Sequence, residues 1–319
     1  AAAQAAAGRK DKARDAYERF LKEHPAHELA AQARYQLAEL LFDLREFDKA
    51  CAVYEKLADP ASGSNWVAYA LFGQGLCRDE QSRWADAIAA YDRLLAAPAG
   101  ADLAPQALYR KGRGLMKLQR WAEADAVLND FLGRYSKHEL SRAARIALGY
   151  CRQELKQWRE AAQAFRLAAD QDDRADDLAR VLYEQAWSWR EAGDEPASRE
   201  VFRRLARQYP ADPLAADAWF YLAEAAYTTA TAAAVEPLPA KALAEARELY
   251  EKVLGSKEKA RLGDKALYRI GWIEWLTARY PEAAREFDRL VRDYPASDLV
   301  PDSLFQAGQA HARAGQTEK

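Results

Sequence analysis

Apolar and polar positions follow one another along this chain with helical spacing, and the pattern itself recurs every 37 residues. In the stretch PQALYRKGRGLMKLQRWAEADAVLNDFLGRYSK, Leu108, Gly112 and Leu115 share one face at i, i+4 and i+7, which predicts a first helix. A short polar turn leads to Trp121, and Ala124, Leu128 and Phe131 define the buried face of a second helix. The second-helix alanine recurs in phase as Ala13, Ala50, Ala87, Ala124 and Ala161, passes through Ser198, and resumes at Ala246 and Ala283. Four residues later comes a large apolar or aromatic side chain: Tyr17, Tyr54, Tyr91, Leu128, Phe165, Phe202, Tyr250, Phe287. The first helix carries its own small series: Ala38, Gly75, Gly112, Gly149, Ala186, Ala223, Gly271, Gly308. Glycine inside a helix costs about 1 kcal/mol against alanine, so its recurrence predicts that two helices approach closely there. A fixed period of this length predicts stacked helix pairs, each packed on its neighbours.

One unit departs from the pattern. Ala223 and Ala246 lie 23 residues apart where Gly271 and Ala283 lie 12 apart, so 11 residues are inserted within TTATAAAVEPLPAK, at about 228–239. Eleven residues make about three helical turns, which would keep the helix face in phase until Pro237 and Pro239 break it. The insertion reads either as a lengthened hairpin or as a contact arm. By phase, Ala1 corresponds to the small residue of a first helix and Lys319 stops just before a second, so both ends are expected to lie mid-repeat, in a segment of a longer protein.

Composition narrows the function. The 47 basic and 49 acidic residues give a net charge of -2, which supplies no electrostatic reason to expect nucleic acid or an anionic membrane surface. No apolar run approaches the roughly 18 to 20 residues of a membrane helix. Cys51, Cys77 and Cys151 are too scattered for a disulfide framework or a zinc site and are expected to be small buried thiols. His24, His27 and His138 fall in inter-unit connections and His311 near the end of the chain, none at metal-ligand spacing, so all four are expected to be exposed or capping. With no phosphate-cradling loop and no nucleophile–base constellation, the expectation is a chain without catalytic, metal or cofactor residues.

The small residue of the first helix, the aromatic after the turn (Phe47, Trp84, Trp121, Trp158, Tyr280), the alanine three residues on, the large residue four after that and the prolines near unit ends (Pro25, Pro210, Pro295) together resemble the tetratricopeptide repeat. The resemblance covers essentially the whole chain. It implies an all-α, right-handed superhelical solenoid of antiparallel helix pairs, about eight repeats over residues 1–319, acting in protein–protein interaction. That family's usual unit has 34 residues. The three extra here lie in connections such as YPADPLAADAWF and YPASDLVPDSLF, which resemble the longer-loop repeats of bacterial cell-envelope proteins. The resemblance therefore favours a periplasmic or envelope-associated location.

In this family the first-helix residues one step round from the core line the concave surface. The first such position reads Tyr35, Phe72, Tyr109, Ile146, Tyr183, Phe220, Tyr268, Phe305, and it serves equally as framework or as binding surface. Four residues on stand Glu39, Leu76, Arg113, Tyr150, Trp187, Glu224, Trp272 and Gln309; three further on, Phe42, Asp79, Met116, Gln153, Arg190, Tyr227, Trp275 and Ala312. A framework role predicts one residue type per position, whereas recognition predicts variation, and Trp, Tyr and Arg are the types enriched at binding hot spots. The candidate partner-binding residues are Tyr109, Arg113, Tyr150, Tyr183, Trp187, Arg190, Tyr227, Tyr268, Trp272 and Trp275, lining a groove for a peptide or protein partner. The carboxylate clamp of chaperone-binding members, built from Lys and Asn, is disfavoured, because the only asparagines are Asn65 and Asn129. The expected function is a non-enzymatic interaction scaffold in a bacterial envelope assembly; the alternative is a regulatory or sensory segment of a larger multidomain protein.

Overall fold

The computed structural model describes residues 2–58, 66–232 and 238–315, with side chains except at 2–8, 98 and 99. The described residues form α-helices and one 3-10 turn at Pro98–Leu103, with no strand. They fall into two compact units, Ala1–Gln171 and Asp172–Lys319, taken here one at a time.

The first unit contains α1 (Ala2–Glu23), α2 (Ala30–Asp43), α3 (Phe47–Leu57), α4 (Val67–Glu80), α5 (Trp84–Ala96), α6 (Ala104–Lys117), α7 (Trp121–Arg134), α8 (Ser141–Glu154) and α9 (Trp158–Gln171). The second contains α10 (Leu178–Glu191), α11 (Glu195–Gln208), α12 (Pro213–Ala232), α13 (Ala240–Gly255), α14 (Lys259–Leu276), α15 (Tyr280–Asp293) and α16 (Val300–Arg313). Within each unit, consecutive helices pack on one another as a helical-repeat solenoid does. None of the described helices is long and apolar enough to cross a membrane.

The turn inside six of the hairpins is the same structure repeated. Arg45, Ser82, Gln119, Lys156, Gly193 and Ala278 all take a left-handed backbone, with φ between 57 and 76°. Around each, two backbone bonds cap the first helix; at Gln119 these are Gln119 N to Met116 O and Arg120 N to Leu115 O, both 2.9 Å. Satisfying the last carbonyls this way stops the first helix sharply and sends the chain back along itself.

Connections between hairpins also share a device. The imidazoles of His27 and His138 accept the backbone N–H groups of Leu29 and Leu140 at 3.1 Å. In the same phase, the Asp212 carboxylate accepts the Leu214 N–H at 2.8 Å, and the Ser297 hydroxyl accepts that of Leu299 at 3.2 Å. The expected capping role of His27 and His138 follows from this. His311 corrects the expectation: it is buried on α16, and its Nε2 lies 2.9 Å from Asp288 of α15, because its phase turns it onto the neighbouring helix. The three cysteines are free and buried.

Small residues meet large ones as the periodicity requires. A methyl group on Gly75 would fall 2.2 Å from the Tyr91 ring; on Gly149, 2.6 Å from Phe165; on Gly271, 2.7 Å from Phe287; and on Gly112, 2.8 Å from Leu128. Tyr54, Tyr91, Leu128, Phe165, Tyr250 and Phe287 are fully buried. The second-helix large residue thus lies against the backbone of its own first helix, and hairpin packing rests on that contact.

Two stretches differ from the simple repeat. α1 runs without a break from Ala2 to Glu23, where the phase predicts the end of one helix and the start of another. Its opening run, AAQAAAGRKDKA, consists largely of strong helix formers, and propensity carries the helix through the phase of the turn. In the second unit, α12 has 20 residues against 14 in α10, absorbing part of the insertion as extra helical turns. Ala230 and Leu243 are buried within the same core cluster, so the lengthened α12 and α13 pack on each other. Pro239 stands just before α13, and Pro237 lies outside the described residues.

Candidate functional site

The aromatic position Tyr35, Phe72, Tyr109, Tyr183, Phe220, Tyr268 has a framework role in every one of these units. Each ring is half-buried and lies on a buried ring of its own second helix: Tyr35 on Tyr54, Phe72 on Tyr91, Tyr109 on Phe131, Tyr183 on Phe202, Phe220 on Tyr250 and Tyr268 on Phe287, at 5.7–6.4 Å between centroids. Such edge and tilted contacts are the favoured geometry for aromatic pairs.

The two variable positions obey a rule that the sequence pattern alone does not reveal. Where the buried second-helix residue is a tyrosine, an acid at one of these positions accepts its hydroxyl: Tyr54 donates to Glu39, Tyr91 to Asp79 at 2.7 Å, and Tyr250 to Glu224. A buried phenol without an acceptor would lose the full cost of desolvating its hydroxyl, so the acid is a structural requirement. Where the buried residue is Leu128, Phe165, Phe202 or Phe287, that requirement disappears, and the positions hold Arg113 and Met116, Tyr150 and Gln153, Trp187 and Arg190, or Trp272 and Trp275. Part of the variation is therefore framework, which corrects the premise that a framework position keeps one residue type. The tryptophans and arginines at these two positions all fall in the units that the packing leaves unconstrained.

The structure distributes the candidate residues among several places. In the first unit, Arg113 of α6 lies over the Tyr109 ring at 5.9 Å, and Tyr150 of α8 packs edge-on against Phe165 at 5.2 Å. In the second unit, Tyr268, Trp272 and Trp275 form a ring cluster over the buried face of α15, with Trp272 6.4 Å from Trp275 and 6.2 Å from Phe287. Trp275 also meets Tyr280 at 5.2 Å, and Arg313 lies over both rings. Tyr227 lies under Arg269 at 4.8 Å.

Tyr183, Trp187 and Arg190 come together. They line a cleft of about 640 Å³ between α10, α11 and α12, entirely within the second unit. Tyr183 and Trp187 are one helical turn apart with nearly parallel rings, 6.5 Å between centroids. Trp187 keeps 36% of its surface exposed, a large apolar area left open to solvent. The Arg190 guanidinium lies near two rings, 4.8 Å from the Trp187 centroid and 5.3 Å from that of Tyr221. Tyr221 in turn packs on Phe202 at 4.6 Å and donates its hydroxyl to Glu195. Burial first, and that hydroxyl bond second, raise its phenol above the usual tyrosine range, so it stays a neutral donor.

The carboxylates of the cleft are engaged. Asp217 receives two bonds from Arg261 of α14, at 3.0 and 2.8 Å, and Glu224 receives two from Arg269, at 2.8 and 2.9 Å, besides the Tyr250 hydroxyl. Arg199, on α11, lines the cleft and has no carboxylate partner among the described residues. Thr228 and Thr229, from the α12 extension, complete one wall, so part of the insertion contributes to this surface.

Arg199 and Tyr221 escaped the sequence reading because it followed one face of the first helices. Arg199 is on a second helix. Tyr221 follows the framework aromatic by one residue, a phase that reads Gln36, Gly73, Arg110, Ala147, Glu184, Tyr221, Arg269 and Gln306. A lone aromatic among small and polar residues was the available signal.

Stacked helix pairs of fixed period, locked by small-to-large contacts, define an all-α repeat protein of the interaction-scaffold class. The chain belongs to the tetratricopeptide repeat family: one tetratricopeptide repeat model matches residues 1–65, 109–177, 183–261 and 242–298, and a second matches 69–97. Proteins of this family and fold are typically non-enzymatic scaffolds for protein–protein interaction. No curated protein sequence matches the chain. Among solved structures, the C-terminal part of a repeat-containing protein of this family from Cytophaga hutchinsonii is similar over 85% of this chain and 99% of its own, at 16% identity and TM-score 0.61. The apo form of RapI is similar over 95% of this chain and 82% of its own, at 12% identity and TM-score 0.50. At these identities the likeness shows the fold alone.

Proposed function

We propose that this chain is a protein-interaction scaffold whose second unit docks a peptide segment of a partner in the cleft between α10, α11 and α12. The observation that carries this reading is Trp187: a large ring left open beside Tyr183, Arg190 and Tyr221, in a unit whose packing does not demand an acid at that position. Buried Trp, Tyr and Arg side chains dominate interface energetics. A cleft of about 640 Å³ has the scale of a pocket for a small ligand, which suits a short stretch of peptide rather than a whole domain. The longer connections between repeats favour a bacterial envelope assembly as the setting.

Selection of a random peptide library on the immobilised chain tests the reading. Peptides enriched on the wild type should bind the Trp187→Ala variant at least tenfold more weakly, the loss typical of an interface hot spot. Equal binding to the two proteins would place recognition elsewhere.

A further inference from the structure

The charge arrangement of the cleft specifies the chemistry of its occupant, given the docking reading just proposed. Seven ionisable groups belong to this surface and to the helix behind it: Arg190, Arg199, Arg261 and Arg269 against Glu195, Asp217 and Glu224. The two arginines of α14 spend in-plane donors on Asp217 and Glu224, both in two-bond geometry. Glu195 accepts the Tyr221 hydroxyl. Arg190 and Arg199 are the cations left without a carboxylate among the described residues.

Their placement gives this surplus a direction. The Arg190 guanidinium lies within cation–π distance of both Trp187 and Tyr221, which places this charge beside the aromatic side of the cleft while the residue itself stays exposed. A guanidinium carries five N–H donors in its plane, and an occupant that buries Arg190 must supply acceptors for them. The planar fork of arginine is pre-organised for a carboxylate, so less freedom is lost per hydrogen bond formed than with lysine. Arg199 adds a second cation on the α11 side of the same cleft. A basic peptide would bring its cations against this surplus. A wholly apolar one would bury the donors of Arg190 unpaired, at the cost of desolvating a charged group.

We propose that the cleft selects an extended peptide carrying Asp or Glu side chains next to an apolar or aromatic residue, with the carboxylate on Arg190 and Arg199 and the apolar side chain against Trp187. The carboxylate clamp made of lysine and asparagine is not reproduced; a stacked arginine takes its place.

The test uses the full chain and the best binder from the library selection, synthesised with a fluorescent label. Fluorescence anisotropy is read at low and high salt for the wild type, Arg190→Gln, Arg199→Gln, Arg190→Lys and Trp187→Ala, with thermal melts as a check on folding. Enriched peptides should be rich in Asp and Glu. Each Gln variant should weaken binding about tenfold and flatten its salt dependence, with Arg190→Lys recovering part of the loss. Replacing the acidic residues of the peptide by Asn and Gln should reproduce that loss on the wild type and add little on the Gln variants. Neutral or basic peptides that still depend on Trp187 would overturn the acidic assignment while leaving the docking site in place. Binding that ignores Trp187, Arg190 and Arg199 alike would overturn both.

Discussion

Gly75→Ala tests the contact on which each hairpin rests. A methyl group built on Gly75 stands 2.2 Å from Cε1 and 2.5 Å from Cζ of Tyr91, where carbon atoms prefer about 3.5–4.0 Å. The ring would have to retreat by more than an ångström. It cannot do so cheaply, because Tyr91 is fully buried and its hydroxyl is tied to Asp79 at 2.7 Å. Overpacking of this kind costs about 1–3 kcal/mol, and a pinned ring places it at the upper end. Against that stands the gain of about 1 kcal/mol from replacing glycine by alanine inside a helix. The net expectation is destabilisation by about 2 kcal/mol. Gly133 supplies the control: it lies in the last turn of α7 with nothing within 4 Å of an added methyl, so Gly133→Ala should be stabilising by up to about 1 kcal/mol. Urea unfolding of the full chain, followed by helical circular dichroism, reads both. In a Tyr91→Leu background the penalty of Gly75→Ala should shrink, since the two changes share one contact. A Gly75→Ala protein as stable as the wild type would refute the reasoning.

Two further predictions concern the turns and one buried acid. The left-handed backbone at Gln119 costs a residue with a side chain about 1 kcal/mol, so Gln119→Gly should stabilise the chain and Gly193→Ala should destabilise it by a similar amount, as thermal melts would show; a shift of the same sign in both would contradict the turn assignment. Burial, opposed by the Tyr91 hydroxyl and Arg110, holds the Asp79 carboxyl above its usual range. A raised folded pKa means stability that is present below the unfolded value of about 4 and lost as pH rises through the folded value. Asp79→Asn keeps an acceptor for Tyr91 and removes that loss, so the stability of the wild type relative to the variant should fall as pH rises above about 4. A relative stability that rises over that range in urea melts would be the wrong sign.

The fold could be read from the sequence because each unit repeats the same physical demand. A small residue must face a large one, a turn must follow at fixed distance, and a cap must start the next pair, so every unit restates the rule and errors cancel across eight copies. The site is harder to read for the same reason. Recognition residues occur once, in positions whose other occupants are set by packing. Glu39, Asp79 and Glu224 looked like unit-specific choices until each was seen to accept a buried tyrosine hydroxyl from a residue 15, 12 or 26 positions away. That pairing is latent in the sequence, since Tyr54, Tyr91 and Tyr250 of the second-helix series each accompany an acid in the first. Trp272 and Trp275, also candidates for recognition, are partly buried and pack on Phe287, Tyr268 or Tyr280, contacts that the sequence pattern does not reveal. Arg190 could not have been distinguished from Arg113 by residue type, and each stands at a variable position of its unit. What separates them is Tyr221, a second ring within 5.3 Å of the Arg190 guanidinium, which exists at its phase in one unit only.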